Sequence, residues 1–440
     1  MTNATPASEN DSLAQSLSVE TVRKHFPAFD RVNSEQPSTA CFFENAGGTF
    51  PARYVVDHLQ QFYLQHKVQP YGATPLQQAA GDAMDLGRNR MAELLDMSVG
   101  DLVLGPSTTQ NFNTLATGFT NLLKPGDEII VSAQDHEANI GAWLRAAKLA
   151  GADAKFWPVD PQSGQLQIDT LQEMLSPRTR LVSMTHSSNI VGAINPLESI
   201  ASTIRDAVPQ RVYLIADGVS YAPHGLPDIK KLAENGIDAY SFSTYKTFGT
   251  HLGVMYVNQE LTEQLTPQCH YFNASKSAAY RFDAAGPDHA AIAGLAGIAD
   301  YFDKLYLDIG GSKDTGTADR ARKISQLIKQ HEQKLVEPVL ECLNKKAVRI
   351  HGSVKADAAR EANIAFRANA KEITSAELNS ALAKKGIAAG HGNFYAPRVL
   401  ESMGITDLED GVVRLSFAHY NSSDEVHTLV NALDTILTDS

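Results

Sequence analysis

Between Leu102 and Val257 short apolar runs recur at regular intervals: LVLG, EIIVSA, KFWPV, RLVSMTH, VYLIAD, AYSFST and GVMYV. Between them lie segments of helical spacing, through Ala142 to Ala150, near Leu171 and near Ile200. Strands this apolar, alternating with helices, predict βαβ units and a mainly parallel sheet buried on both faces. Upstream, VETVRKHFPAF predicts a short amphipathic helix ending at Pro27, followed by a polar loop and the strand-like run ACFFENAGGTF. Apolar positions three and four apart predict helices from about Ala52 to Gln65 and from about Leu76 to Leu95. Downstream, a helix-rich region runs from about Asp314 to Lys345. It is followed by strands near Val348 and Ala362, a helix near Ala376 and a final apolar strand within GVVRLSF.

Composition narrows the class without changing this picture. A chain of 440 residues with 43% hydrophobic content can bury one large α/β domain and a smaller one. The formal charge of −12 comes without a basic cluster, which excludes nucleic acid as a partner. Cys41, Cys269 and Cys342 are far apart, with no CxxC spacing, so neither a metal site nor a disulfide framework is expected and a reducing cytoplasm fits. Cys41 reads as a small buried hydrophobe. The polar start MTNATPASENDSLAQS lacks both parts of a secretory signal and reads as a frayed tail. No apolar run approaches the roughly 18 residues of a membrane span.

In doubly wound sheets ligands bind beyond the carboxyl ends of the strands. Those ends are where this chain places Asp135 and His136, His186 to Asn189, Asp217 and Lys246. Lys246, between an apolar strand and a Gly-bearing turn, would be partly desolvated and its amine freed for Schiff-base chemistry; the alternative is a solvated turn lysine. Asp217, ending an apolar strand, needs a cation, which a protonated pyridine nitrogen would supply; a loop or capping Asp is the alternative. His136 could stack on a planar ligand and, as a catalytic group, move protons near neutral pH, or be a surface residue, and Asn189 could meet a ring hydroxyl or serve a turn. Ser107, Thr108 and Thr109 stand where a helix begins, which makes either a phosphate site or an ordinary N-cap. No GK[ST] follows, so the turn is not a Walker loop. The turn Asn45-Ala46-Gly47-Gly48 offers backbone N–H groups to a carboxylate, or is a plain tight turn. Arg414 on its apolar strand would clamp a substrate carboxylate or sit in a structural ion pair.

The order phosphate turn, His, Asn, Asp, Lys, carried on DHEAN, THSSN, ADGVS and SFSTYK, resembles the class V branch of pyridoxal 5'-phosphate (PLP) enzymes. Within it the chain is most similar to the cysteine desulfurase and selenocysteine lyase group, over roughly Val19 to Leu437. The resemblance implies an α/β fold of type I, with a large domain built on a mainly parallel seven-stranded sheet and a smaller α+β domain. The expected division is a disordered tail at 1–18, an N-terminal segment at 19–44 packing with the small domain, a large PLP-binding domain at 45–310 and a small domain at 311–440. Lys246 then corresponds to the lysine of the internal aldimine, Asp217 to the partner of the pyridine nitrogen, His136 to the stacking histidine and Asn189 to the contact with the ring hydroxyl. Thr108, Thr109, Ser243 and Tyr245 correspond to the phosphate cradle, with Tyr245 where a desulfurase generally has His. Ser220 stands where relatives often have Gln. The run RFDAAGPDH resembles the segment that reaches the neighbouring subunit's phosphate, with Gly286 in place of Thr, which implies a homodimer.

One loop departs from the family. GIAAGHGNFYAP places Tyr395 where desulfurases carry their nucleophilic cysteine, and a phenol of pKa near 10 cannot replace that thiolate. Cys342, on a helix among Leu335, Val339 and Leu343, reads as packed core. Gly390 stands where the family carries a basic residue, which leaves His391, Asn393 and Tyr395 to read a substrate side chain or merely to close the site. Asn45, Ala46, Gly47 and Arg414 complete the expected substrate contacts. The implied activity is a PLP-dependent one on an amino acid, through an external aldimine and α-proton abstraction: a C–S or C–Se lyase without a persulfide cysteine. An aminotransferase, a racemase or epimerase, and a non-catalytic binding module with the same fold are the alternatives.

Overall fold

The computed structural model describes residues 14–30, 41–368 and 373–438. Residues 1–13 of the expected tail and most of the polar loop after Pro27, at 31–40, lie outside the described residues. The first strand, β1 (Cys41–Phe42), is only two residues long. The central sheet follows with β2 (Leu102–Gly105), β3 (Glu128–Ser132), β4 (Asp153–Trp157), β5 (Thr179–Thr185), β6 (Tyr213–Asp217), β7 (Ala239–Ser243) and β8 (Gly253–Val257). Its seven strands take the order β2-β8-β7-β6-β5-β3-β4, and only β8 runs against its neighbours. The reason is the connection: a short loop, 244–252, joins β7 to β8, whereas parallel neighbours need a crossover, here supplied by helices such as Glu137–Ala150 and Leu197–Ala207.

Residues of β3, β6, β7 and β8 are buried throughout, because helices cover both faces. Alternate side chains divide between two apolar clusters. Ile129 and Val131 pack with Phe112, Leu115 and Trp143, whereas Ile130 packs into a cluster that includes Tyr301 and Phe302. After β4 the chain returns to the other side of β3 to form β5, so the strand order reverses between β3 and β5. A ligand crevice belongs at the carboxyl ends flanking such a switch point.

The C-terminal part builds β9 (Val348–His351), β10 (Asn363–Ala368), β11 (Ile387–Ala388), β12 (Gly390–Gly392) and β13 (Val412–Ser416). An antiparallel sheet runs β12-β13-β10-β9 over its own cluster of Phe43, Ile364, Leu378, Leu415 and Leu429. The helix Thr317–Leu343 contributes Ile324 and Ile328 to the first cluster and Leu335 and Val339 to this one. Cys342 belongs to this cluster as expected, its thiol 3.6 Å from Asp434. Cys41 differs from its reading as a buried hydrophobe: it is half-buried on β1, which pairs in parallel with β11. The helix read from Ala142 begins five positions earlier, at Glu137, where His136 caps it. Among the described residues no helix is long and apolar enough to cross a membrane.

Candidate active site

The carboxyl ends of β6 and β7 lie side by side, with Asp217 opposite Ser241. Lys246 follows on the 3-10 turn Thr244–Lys246. That turn is held rigidly: the Thr247 N–H donates to Thr244 O at 2.8 Å, and the Thr247 hydroxyl donates to Ser243 O at 3.1 Å. Lys246 lines a cleft of about 60 Å³ together with Thr108, Thr109, His136, Asn189, Asp217, Ser220, Ser243 and Tyr245. Nine of the ten residues expected at a cofactor thus share one space. Burial pushes the Lys246 amine down to about 8, helped by the Arg414 charge and opposed by Asp217 and Glu44. Asp217 is 4% exposed, and its Oδ1 accepts the Val219 N–H at 2.9 Å. Burial pushes its carboxyl up to about 6, against that hydrogen bond and the charge of Lys246.

At one end of the cleft the helix Thr108–Phe119 begins. The Ser107 hydroxyl is spent as its cap, accepting from Gln110 N at 3.1 Å, while the buried Thr108 hydroxyl lies 2.8 Å from Ser243 Oγ. β8 passes so close to this terminus that a Cβ at Gly253 would fall 2.6 Å from Thr108 N, which only glycine permits. The Tyr245 ring stacks on His251 at 4.5 Å, and Thr109 lines the cleft one residue along the helix.

His136 Nδ1 accepts the Ala138 N–H at 3.0 Å, which puts the proton of the neutral ring on Nε2. Burial, with the charges of Lys246 and Arg414, brings its pKa down to about 4, so the ring is neutral at pH 7. Beside it, Asp135 accepts from Asn139 at 2.6 Å and from the Thr185 N–H at 2.8 Å, which pins the His136 loop to β5. Burial and the charge of Asp217 push Asp135 up to about 7. Asn189 donates its amide to Phe394 O at 3.0 Å.

The expected substrate contacts divide. Asn45 and Ala46 line a narrow extension beside Lys246, but the Asn45 side chain is spent on structure. It donates to Ser416 O at 2.9 Å and accepts from the Tyr420 hydroxyl. Gly47 is exposed at the turn. The fork of Arg414 is already engaged: it pairs with Glu44 at 2.7 Å, donates to Asn189 O at 3.2 Å and lies 3.7 Å over the Phe394 ring. His391 is exposed beside Asn379, and Asn393 holds the loop by donating to Leu408 O and accepting from Tyr395 N. The Tyr395 ring is exposed but lies 5.4 Å from that of His136. Gly286 sits on an exposed turn and does not line the cleft of its own chain.

Glu44, Phe394, His224 and Glu361 were missed. Glu44 lies inside what read as an apolar run, and the other three reach the site only through contacts between distant segments. No local spacing marks them.

The chain matches the class-V aminotransferase family over residues 41–429. It is 32% identical to an aminotransferase-like protein of Gibberella zeae across 96% of this chain and 100% of that one. It is 29% identical to a cysteine desulfurase-like protein of Aspergillus flavus across 96% and 91%. The cysteine desulfurase of Thermococcus onnurineus has the same fold, with a TM-score of 0.80 at 22% identity over 96% of this chain and 98% of that one. With the lysine, the aspartate and the helix terminus meeting in one cleft, the chain belongs to the class V aminotransferases.

Proposed function

We propose that this cleft binds PLP and processes an amino acid by removing its α proton and then a β leaving group such as sulfur or selenium. One observation carries the reading: a lowered lysine amine and a carboxylate that is buried, with no ion-pair partner among the described residues, face one space that ends at a helix N-terminus. The donor set suits the coenzyme. Thr108, Thr109 and Ser243 offer hydroxyls and helix N–H groups to a phosphate, and Asp217 offers the negative charge a pyridinium needs. When bound, PLP supplies an electron sink for the carbanion.

The remaining steps are the work of the chain. Lys246, largely neutral above pH 8, provides first the nucleophile and then the base for the α proton. His136, held neutral with Nε2–H, stacks without adding charge. Arg414 holds the substrate carboxylate, and Glu44 must yield its place or share the fork. The loop at 390–396 contains no cysteine, and Phe394 and Tyr395 both have left-handed backbones, with φ of 48° and 57°. Asn189 and the Glu137 N–H tie down their carbonyls. A loop so fixed supports elimination without persulfide relay. Exposed Tyr63, Leu64, Tyr271 and Phe272 support a homodimer, and the separate apolar clusters support a cofactor-binding unit at 45–310 and a smaller one at 311–440.

The test is a panel of amino acids on the reconstituted protein. Pyruvate and ammonia with released sulfide or selenide is the expected outcome. A keto acid with the aminated coenzyme would replace this reading with transamination, and inversion without net loss would replace it with racemisation. Lys246→Ala should abolish turnover and the visible absorbance of the bound coenzyme; a variant that kept both would remove the reading altogether.

A further inference from the structure

Three spaces share walls around Lys246. Lys246, Val219 and Ser220 line both the cleft and the narrow extension, whose other walls include His224, Glu361 and Asn363. That extension has about 10 Å³ of free room, the space of about one water and too little for a substrate side chain. Glu361 also lines a larger cavity of about 260 Å³, between the helix Thr317–Leu343 and the segment before β10. Glu361 therefore stands between Lys246 and a second opening.

His224, Glu332 and Glu361 are 5%, 2% and 4% exposed. His224 Nδ1 lies 2.8 Å from Glu332 Oε2, whereas Oε1 of Glu332 and Oε1 of Glu361 have no hydrogen-bond partner among the described residues. The nearby cations do not satisfy them. Lys329 donates to the Tyr221 hydroxyl at 2.6 Å, and Arg360 spends its guanidinium on backbone carbonyls such as Asn363 O at 2.6 Å. A buried carboxylate oxygen that no protein group meets, beside space for water, is placed to exchange a proton with that water. Burial raises the proton affinity of Glu361, while His224 and Lys329 restrain it. His224 is itself kept above its ordinary value, because Glu332 and Glu361 outweigh the burial that lowers it.

We propose that Glu361 is a proton relay between Lys246 and the larger cavity, with the His224–Glu332 pair positioned to set its proton affinity. The Lys246 ammonium gives a proton to the water in the extension, and that water passes one of its own to the Glu361 carboxylate. The resulting acid releases it to water in the larger cavity, and no electrons change hands. Lys246 can then exchange its proton with solvent while substrate fills the cleft. The proposal rests on Lys246 being the α-proton base.

The probe is L-alanine, which has no β leaving group, incubated with the holoenzyme in D₂O while the α-hydrogen signal is followed by NMR. Wild type should lose the signal, and Glu361→Gln should lose it at least tenfold more slowly. Glu361→Asp should stay within about threefold of wild type, and formate should restore exchange to Glu361→Ala. Wild-type exchange with an unchanged Glu361→Gln overturns the relay alone. No exchange in wild type overturns the Lys246 reading with it. A second readout uses the cofactor-free protein labelled with ¹⁵N-histidine, in which Glu361→Gln should move the His224 titration to lower pH. An unmoved titration would overturn the coupling of the pair to Glu361.

Discussion

Asp217 gives the most direct physical test, because its burial is a cost only while the coenzyme is absent. In the folded chain its pKa stands at about 6 against 3.8 for the free side chain. That difference corresponds to about 3 kcal/mol against the folded state once the carboxylate is ionised. The sign follows from which state binds the proton more tightly. Below pH 3.8 both states are protonated and there is no penalty; as pH rises toward 6 the unfolded chain releases its proton first and stability falls; above 6 the penalty is constant. Asp217→Asn keeps an acceptor for the Val219 N–H and removes the charge. Cofactor-free Asp217→Asn should therefore be more stable than wild type by up to about 3 kcal/mol at pH 7.5, and by about half of that at pH 5. For a chain of this size that is a rise in the urea midpoint of up to about 1 M. Bound PLP should reverse the order, since a pyridinium compensates Asp217 and has nothing to gain from an amide. Urea unfolding of both proteins, with and without coenzyme, at the two pH values is the assay. A cofactor-free variant no more stable than wild type at pH 7.5, or a gap that fails to shrink at pH 5, would refute the argument.

Because burial lowers Lys246 to about 8, the rate at which cofactor-free protein captures PLP should rise with pH and level off above about 8; a midpoint near 10.5 in stopped-flow absorbance would mean an unburied amine. Ser243→Ala removes the partner of the Thr108 hydroxyl and one phosphate donor, so calorimetric titration should find PLP binding weakened roughly ten- to a hundredfold. Gly390→Ala would drive a Cβ into Glu44 Oε2 and to 2.8 Å from the Phe394 ring. The expected loss is about 1–3 kcal/mol of stability, relieved when Glu44→Asp is added, and additive effects in that double-mutant cycle would contradict the contact.

The central sheet was legible because its strands are buried on both faces and so read as unbroken apolar runs between helices; β3, β6 and β7 fall where those runs lie. The cofactor end was legible for a related reason. A doubly wound sheet delivers the residue after each strand to one edge, so Asp217, Ser243 and Lys246 meet without any knowledge of side-chain packing. β1 is only two residues long because Phe43 serves the C-terminal cluster and Phe42 an aromatic contact with Phe50, and neither requires a long strand.

The substrate end obeys a different rule. Arg414 on an apolar strand correctly signalled a buried guanidinium seeking an anion, but its anion is Glu44, 370 positions away, which reaches it because Gly390 leaves the space open. A sequence states that a buried charge must be neutralised and leaves the partner to tertiary structure. The same holds for Glu361, which ends a stretch of loop and acquires its meaning only where that loop meets Lys246, His224 and the long helix. His391 and Asn393 show the converse: polar side chains in the loop that replaces the family's cysteine are used to fasten that loop. Arg414 is therefore neutralised within the fold by Glu44, and under the proposed function a substrate carboxylate must compete with a neighbour that is covalently part of the protein.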